Sequence, residues 1–576
     1  MGPYSVADGA SKALQALQAS CREELPEAFL EHAKSVVFTS TSSNGKGVHF
    51  PVPLKEQDAA AAIKALEACA AAAIADIRYR KAHRQIEVDL DKTSCFLMSA
   101  YLTTIDGMDK GNPEAKKKIP DTDLNQAQSV LYRRLSANLY ETKTAGEYYH
   151  IHGSLEAGET LKMIGLPPQE PRLTDYHDCI NTIEKAVKKF TVPELERMNL
   201  EKGQAGIPAM TWDKFRATPH GKALYSLPPL TLSTAESTTP CAAFDTPEVG
   251  DYNSPPRALS GIKVIEMCRV IAGPTIGRSL AAHGASVLKV TSPNLPDVPF
   301  FQVDVNTGKH TTALDLRNSR ADREAFDALL AEADVVIDGY RPGALSRLGY
   351  SPETLSKLAE RRGRGFVYVA EDCFGGTDVR GAEWAGRPGW QQIADCVTGV
   401  AWAQGEFMGL KEPVVPPFPM SDYGTGALGC VAAMAGLYQR ATKGGSWICR
   451  TSLCQYDIFL MSLGQLPADE QKRLRQVHDS AFFDLRHSDS VDEVGRRALK
   501  SMERVAPHLF AEDDGLMQTA RSSGFRATLR FPREPIRVTG LRVSHVRPAR
   551  PNGYDKPTWD DDWTEDERMV DDGDDA

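Results

Sequence analysis

The chain has 576 residues, 41% hydrophobic and 25% charged, which excludes a disordered or fibrous protein and asks for at least two domains. Its net charge of −10 is concentrated at one end: ten acidic residues face only Arg568 between Asp560 and Asp575. The body is therefore close to neutral, and nucleic acid is not an expected partner.

No run of about 18 apolar residues occurs, so no membrane span is expected. The N-terminal MGPYSVADGA lacks a basic stretch leading into an apolar one, and Val6 stands where a myristoylation signal needs Ser or Thr. With no peroxisomal address in the C-terminal DDGDDA, a cytoplasmic location is expected. Eleven cysteines stand singly without a CxxC pair; they read as reduced, mostly buried thiols, and no metal site is expected.

In chain order, HFPVPL leads into an Ala-rich helix and the short strand IEVDL, followed by Phe96-Leu97-Met98-Ser99. YYHIHGS places His150 and His152 on one face of a strand; with no third ligand evident, they read as ordinary strand histidines. Residues 228–258, rich in Pro, Ser and Thr, read as a linker. After it, GIKVIEM, SVLKV, TTALDL, ADVVIDGY and GFVYVAE alternate with helical stretches. This pattern predicts an α/β fold: an open, parallel, Rossmann-like sheet with helices on both faces and a ligand at the carboxyl ends of its strands.

Phe459-Leu460-Met461-Ser462 repeats the earlier tetrapeptide, again after a Pro-containing entry (PPFPM), an Ala-rich helix and a strand (ICRTSL). The matching order suggests duplication. The expected organisation is a first half at 1–235 forming a smaller α+β domain, a linker at 236–257, a second half at 258–550 and an acidic, disordered tail at 551–576.

The loop Cys268–Pro274 leads into a helix whose free amides suit phosphate. It is not G-x-G-x-x-G, and Thr291-Ser292-Pro293 puts no acidic residue after the second strand, so a nicotinamide dinucleotide is not supported. Asp422 in PPFPMSDYGTGALG lies between a Pro-rich loop and a Gly-rich helix. Taken alone, it reads as a helix N-cap.

The string LSGIKVIEMCRVIAGPTIGRSLAAHGASVLKVTSP resembles the opening of the class III CoA-transferase (CaiB/BaiF) family. NTGKHTTALDLRN, ADVVIDGYRPGALSRLGYSPETL, RPGWQQIADCVTGV and SDYGTG resemble its later segments in order, over about residues 258–465. The resemblance implies transfer of CoA between an acyl-CoA and a carboxylic acid acceptor, with Asp422 as nucleophile and Gly424 and Gly426 supporting the oxyanion. It implies CoA contacts at Ile271, Ala272, Leu314, Asp315, Arg317, Gly339, Tyr340, Arg347, Arg387 and Trp390. It implies no cofactor beyond coenzyme A as substrate. Ser292 stands where some relatives carry an arginine for the nucleotide, and no glycine-rich lid is recognisable.

Residues 47–235 resemble only the family's portion after the nucleophile; Glu56 and Asp58 lie near the matching place without its glycines. A truncated copy fused to an intact one is implied, with one competent site in a homodimer or an internally fused pseudo-dimer. Competing readings are an α-methylacyl-CoA racemase, whose histidine would fall at Trp390, and a non-catalytic CoA-binding member.

Overall fold

The computed structural model describes residues 4–559 apart from 41–46, 80, 82, 236–237, 245–254, 377–378, 380–382 and 512–514. Helices α1 (Val6–Ser20), α2 (Glu56–Arg78) and α3 (Leu90–Leu97) open the chain. The large sheet follows: β1 (Leu230–Thr234), β2 (Lys263–Met267), β3 (Ser286–Thr291), β4 (His310–Ala313), β5 (Val335–Asp338), β6 (Val367–Asp372) and β7 (Trp447–Ser452). Its helices are α4 (Ala272–Ala282), α5 (Arg320–Glu332), α6 (Pro352–Arg362), α7 (Gln391–Thr398), α8 (Met420–Lys443) and α9 (Leu453–Ser462).

The strands lie in the order β4-β3-β2-β5-β6-β7-β1, with the first six parallel and β1 antiparallel at the edge. Val264 faces Val335 and Ile265 faces Val336 across the β2–β5 pair. Val264, Val287 and Val369 bury against α4 and α8, while Ile265, Leu288 and Tyr368 bury against α5 and α6. Both faces are covered, which is why these strands read as continuous apolar runs. Chain order reverses at β2, so a crevice opens between the carboxyl ends of β2 and β5.

The expected linker is in part an element of this sheet. Residues 230–234 form β1, pairing with β7 from Trp447↔Thr234 to Thr451↔Leu230 and covering an edge that would otherwise expose its backbone groups. Residues 236–237 and 245–254 of the expected linker lie outside the described residues. The first part of the expected tail is also ordered: Trp559 buries in the core beside α5 and donates its indole N–H to the Leu329 carbonyl at 3.1 Å. Residues 560–576 lie outside the described residues.

The two halves are interleaved. Ile536–Val538 pairs with Ile86–Asp89, and Ala527–Pro532 pairs with Thr104–Ile105. Helices α2 and α8 are buried on almost every side, as their Ala- and Gly-rich compositions permit. Lys64 of α2 is fully buried and neutralised by Glu67 at 2.9 Å and Glu534 of the second half at 3.0 Å. The paired tetrapeptides belong to equivalent helix–strand–helix units: α2, Ile86–Asp89, α3 and α8, β7, α9.

Asp58 occupies the third position of α2, as Asp422 does of α8. An aspartate thus stands at the matching helical place in the first half as well. Its carboxylate is sealed: Tyr4 donates its phenol to it, and a Cβ on Gly9 of α1 would collide with it.

Candidate active site

Asp422 lies in the first turn of α8, behind Pro419. It is not an N-cap, because the Tyr423 amide already closes the first turn onto the Pro419 carbonyl at 3.1 Å. The amides of Gly424 and Gly426 therefore belong to the helix interior, and the helix uses them itself. What the glycines supply is space. A Cβ at 424 would meet the Tyr456 ring at 2.0 Å, and one at 426 would lie 2.7 Å from the Ala272 carbonyl of α4. The amides left over by helix geometry are those of Met420, Ser421 and Asp422.

The Asp422 side chain is half-buried on the wall of a cavity of about 580 Å³, and no hydrogen bond satisfies its carboxylate among the described residues. Burial, reinforced by the negative charge of Asp395, holds its pKa well above the ordinary carboxylate range. Asp395 lies on the same wall, fully buried, and accepts Ser421 Oγ at 2.9 Å and Gln391 Nε2 at 3.0 Å. Burial pushes it up to about 7. Behind it sit Asp457, bonded by Thr398 at 3.0 Å, and Glu56, bonded by Tyr456 at 2.7 Å. Burial raises Glu56 to about 8 and Asp457 well above the normal range. Four carboxyl groups gathered in one largely buried region cannot all ionise at ordinary cost.

The first half completes the wall. His152 stacks on Trp390 with ring centroids 5.6 Å apart and planes inclined by 14°, and His150 stacks behind it at 5.4 Å. The Ser154 amide donates to His152 Nδ1 at 3.0 Å, so the ring proton sits on Nε2, facing Gln392 Oε1 at 3.4 Å. Burial keeps both histidines neutral, with His150 lowered to about 3. Trp390 Nε1 donates to Ser154 Oγ. Ser154, Val270 and Phe418 all line the cavity and all have left-handed backbones, at φ 45°, 68° and 63°. Left-handed φ is strained for a β-branched valine, and such strain gathers at functional sites.

Of the residues implied by resemblance, Ile271, Trp390 and Asp422 meet on this cavity, and Ala272 starts α4 beside it. The others follow the carboxyl ends of the strands. Leu314, after β4, is buried; Asp315 accepts the Arg317 and Asn318 amides, both at 3.1 Å; Arg317 and Arg347 are exposed. Gly339 follows β5, where a Cβ would lie 2.9 Å from Cys268 Sγ, and the Arg269 guanidinium lies 5.3 Å over the Tyr340 ring. Arg387 is no free cation: it forms a two-pronged ion pair with Glu196 of the first half, at 3.0 and 3.2 Å. That pair ties the Trp390 loop to the strand–helix layer carrying His152.

Sequence reasoning took His152 for an ordinary strand histidine and did not single out Ser154, Asp395 or Glu371. Glu371 is the last residue but one of β6, where a Cβ on Gly339 would come within 3.3 Å of its carboxylate; burial, Asp372 and then Asp422 hold it well above the ordinary range. The run YYHIHGS signalled the two histidines, but nothing local says which distant loop they would meet.

Among the described residues, no helix is long and apolar enough to cross a membrane. Residues 259–479 match the family described as CoA-transferase family III. The chain is 33% identical over 552 residues to an acetyl-coenzyme A transferase of Hypoxylon pulicicidum, covering 93% of this chain and 90% of that one. It is 31% identical to an acyl-CoA transferase of Gibberella moniliformis, covering 79% and 81%. A CaiB/BaiF family crystal structure from Brucella suis aligns at 26% identity and a TM-score of 0.30, over 36% of this chain and 56% of that one. The chain belongs to CoA-transferase family III and is a transferase enzyme.

Proposed function

We propose that the protein moves coenzyme A from an acyl-CoA to a free carboxylic acid, with Asp422 as the covalent relay. Asp422 Oδ attacks the thioester carbonyl, and collapse of the tetrahedral oxyanion expels CoA thiolate and leaves an aspartyl mixed anhydride. The thiolate then attacks the aspartyl carbonyl, releasing the donor acid and forming an aspartyl-CoA thioester. An acceptor carboxylate displaces CoA to give a second anhydride, and thiolate attack on its acyl side yields the new acyl-CoA and free Asp422. Each step exchanges one acyl bond for another, so no redox partner is required. The amides of Met420 to Asp422 are the proposed oxyanion donors.

One observation carries the reading: Asp422, which the resemblance matches to the family's nucleophile, has no hydrogen bond to its carboxylate among the described residues and faces a cavity large enough for an acyl chain. Neutral His152 and Trp390 wall that cavity, which supports a water-poor site where an anhydride survives. Incubation with candidate acyl-CoAs and acids, followed by separation of the CoA esters, tests it. Exchange of CoA between acids, lost in Asp422→Asn, is expected. Deuterium incorporation at Cα without acid exchange would indicate a racemase instead.

A further inference from the structure

The described residues hold a second chemical cluster away from the Asp422 cavity. His49 precedes α2, Asp91 lies in the first turn of α3, and His508 sits in the short helix Pro507–Phe510 of the second half. These segments are remote in sequence, with His508 lying 417 residues from Asp91. No local spacing motif therefore announces them.

His508 Nε2 is 3.3 Å and His49 Nε2 is 3.7 Å from the same Asp91 oxygen, and all three ligand atoms lie within 4.8 Å of one another. Around a zinc-type ion with bonds of about 2.0–2.1 Å, neighbouring tetrahedral ligands are about 3.4 Å apart. Both measured edges are close to that length. The 3.7 Å gap is too long for a hydrogen bond, and His49 Nε2 is buried without any partner among the described residues. His49 is only 5% exposed, so this nitrogen is withdrawn from the surface and lies beside the Asp91 carboxylate.

The carboxylate is held for the purpose. Asp91 is fully buried, and its other oxygen accepts Ser40 Oγ at 2.7 Å, the kind of outer bond that orients a metal ligand. His508 keeps 23% of its side chain exposed, which leaves a route for an ion and a place for a water ligand. Two imidazoles and one carboxylate form an N/O set of borderline softness, which favours zinc, cobalt or iron(II) over calcium and magnesium.

We infer that His49, Asp91 and His508 bind one divalent transition-metal ion, which clips the C-terminal part of the second half onto the first. The site is structural. One link to the reaction cavity is Phe50, whose ring lies 5.9 Å from Phe418. The inference does not depend on the proposed transfer chemistry.

The test uses the full-length protein, stripped with a chelator and titrated with Co²⁺. Bound cobalt should show the intense visible absorption of low-coordinate N/O ligation, saturating at one ion per chain, and Zn²⁺ should quench it and raise Tm. His508→Ala, at a partly exposed position that tolerates truncation, should fold without metal but lose the spectrum and the Zn²⁺-dependent rise in Tm. Ser40→Ala should fold and bind about 10- to 100-fold more weakly, as loss of an orienting group predicts. Absence of the cobalt spectrum in the wild-type protein, or undiminished binding in His508→Ala, would overturn the assignment.

Discussion

Trp390 lies flat against His152, 5.6 Å from ring centroid to ring centroid, although 236 residues separate Trp390 from the neighbouring Ser154 it also bonds. The contact makes the first half a wall of the Asp422 cavity. Trp390→Ala removes both the stack and the bond to Ser154. Truncation of a half-buried tryptophan should cost about 2 kcal/mol of stability. It should also raise KM for the acyl-CoA more than it lowers kcat, which steady-state kinetics and chemical denaturation will check.

Burial first, and the Asp395 charge after it, raise the pH at which Asp422 becomes an anion. In the proposed mechanism the attacking species is the deprotonated carboxylate, and burial plus the Asp395 charge raise its pKa. Activity should therefore rise with pH above the ordinary carboxylate range. Asp395→Asn removes one of the two causes, so the acidic limb of the kcat/KM profile should move to lower pH. A limb that stays in place would assign the titration to another group.

Asp58 should be dispensable for chemistry. Tyr4 and Gly9 seal it, and burial raises its pKa to about 7. A carboxyl whose folded pKa is raised loses stability as pH climbs from its unfolded value, about 4, through 7. Asp58→Asn should leave transfer intact and flatten the pH dependence of Tm over that window.

His487 supplies a second pH window. It bridges Glu184 of the first half at 2.7 Å and Glu412 of the second at 3.1 Å, and these carboxylates raise its pKa to about 9 against the opposing effect of burial. Because the folded pKa lies above the unfolded value, the stabilisation is complete below about pH 6.5 and lost as pH rises through 9, a contribution on the order of 3 kcal/mol. Denaturation midpoints of the wild type should fall across that range, and those of His487→Gln should fall less steeply, the difference being the His487 contribution.

The parallel sheet was legible because its strands are apolar on both faces, so Ile265 and Val264 read as one run although they bury in opposite layers. The ordered run of segments singled out Asp422 and Ile271, and both line the same cavity. The glycines misled, since Gly424 and Gly426 look like an amide-rich loop but serve close packing within α8. Residues 230–234 look like linker because a short edge strand carries little periodicity until β7 is there to pair with it. His152 and Asp395 could not be placed, because their roles arise from contacts across the chain that only the interleaved fold creates.

Covalent chemistry at Asp422 is open to direct trapping of the intermediate. The protein is incubated with an acyl-CoA, quenched with hydroxylamine or borohydride, and digested for peptide mass spectrometry. The account predicts a hydroxamate or reduced side chain on the Met420–Tyr423 peptide at Asp422, absent without acyl-CoA and absent in Asp422→Asn. Modification mapping elsewhere, or full transfer by Asp422→Asn, would contradict it.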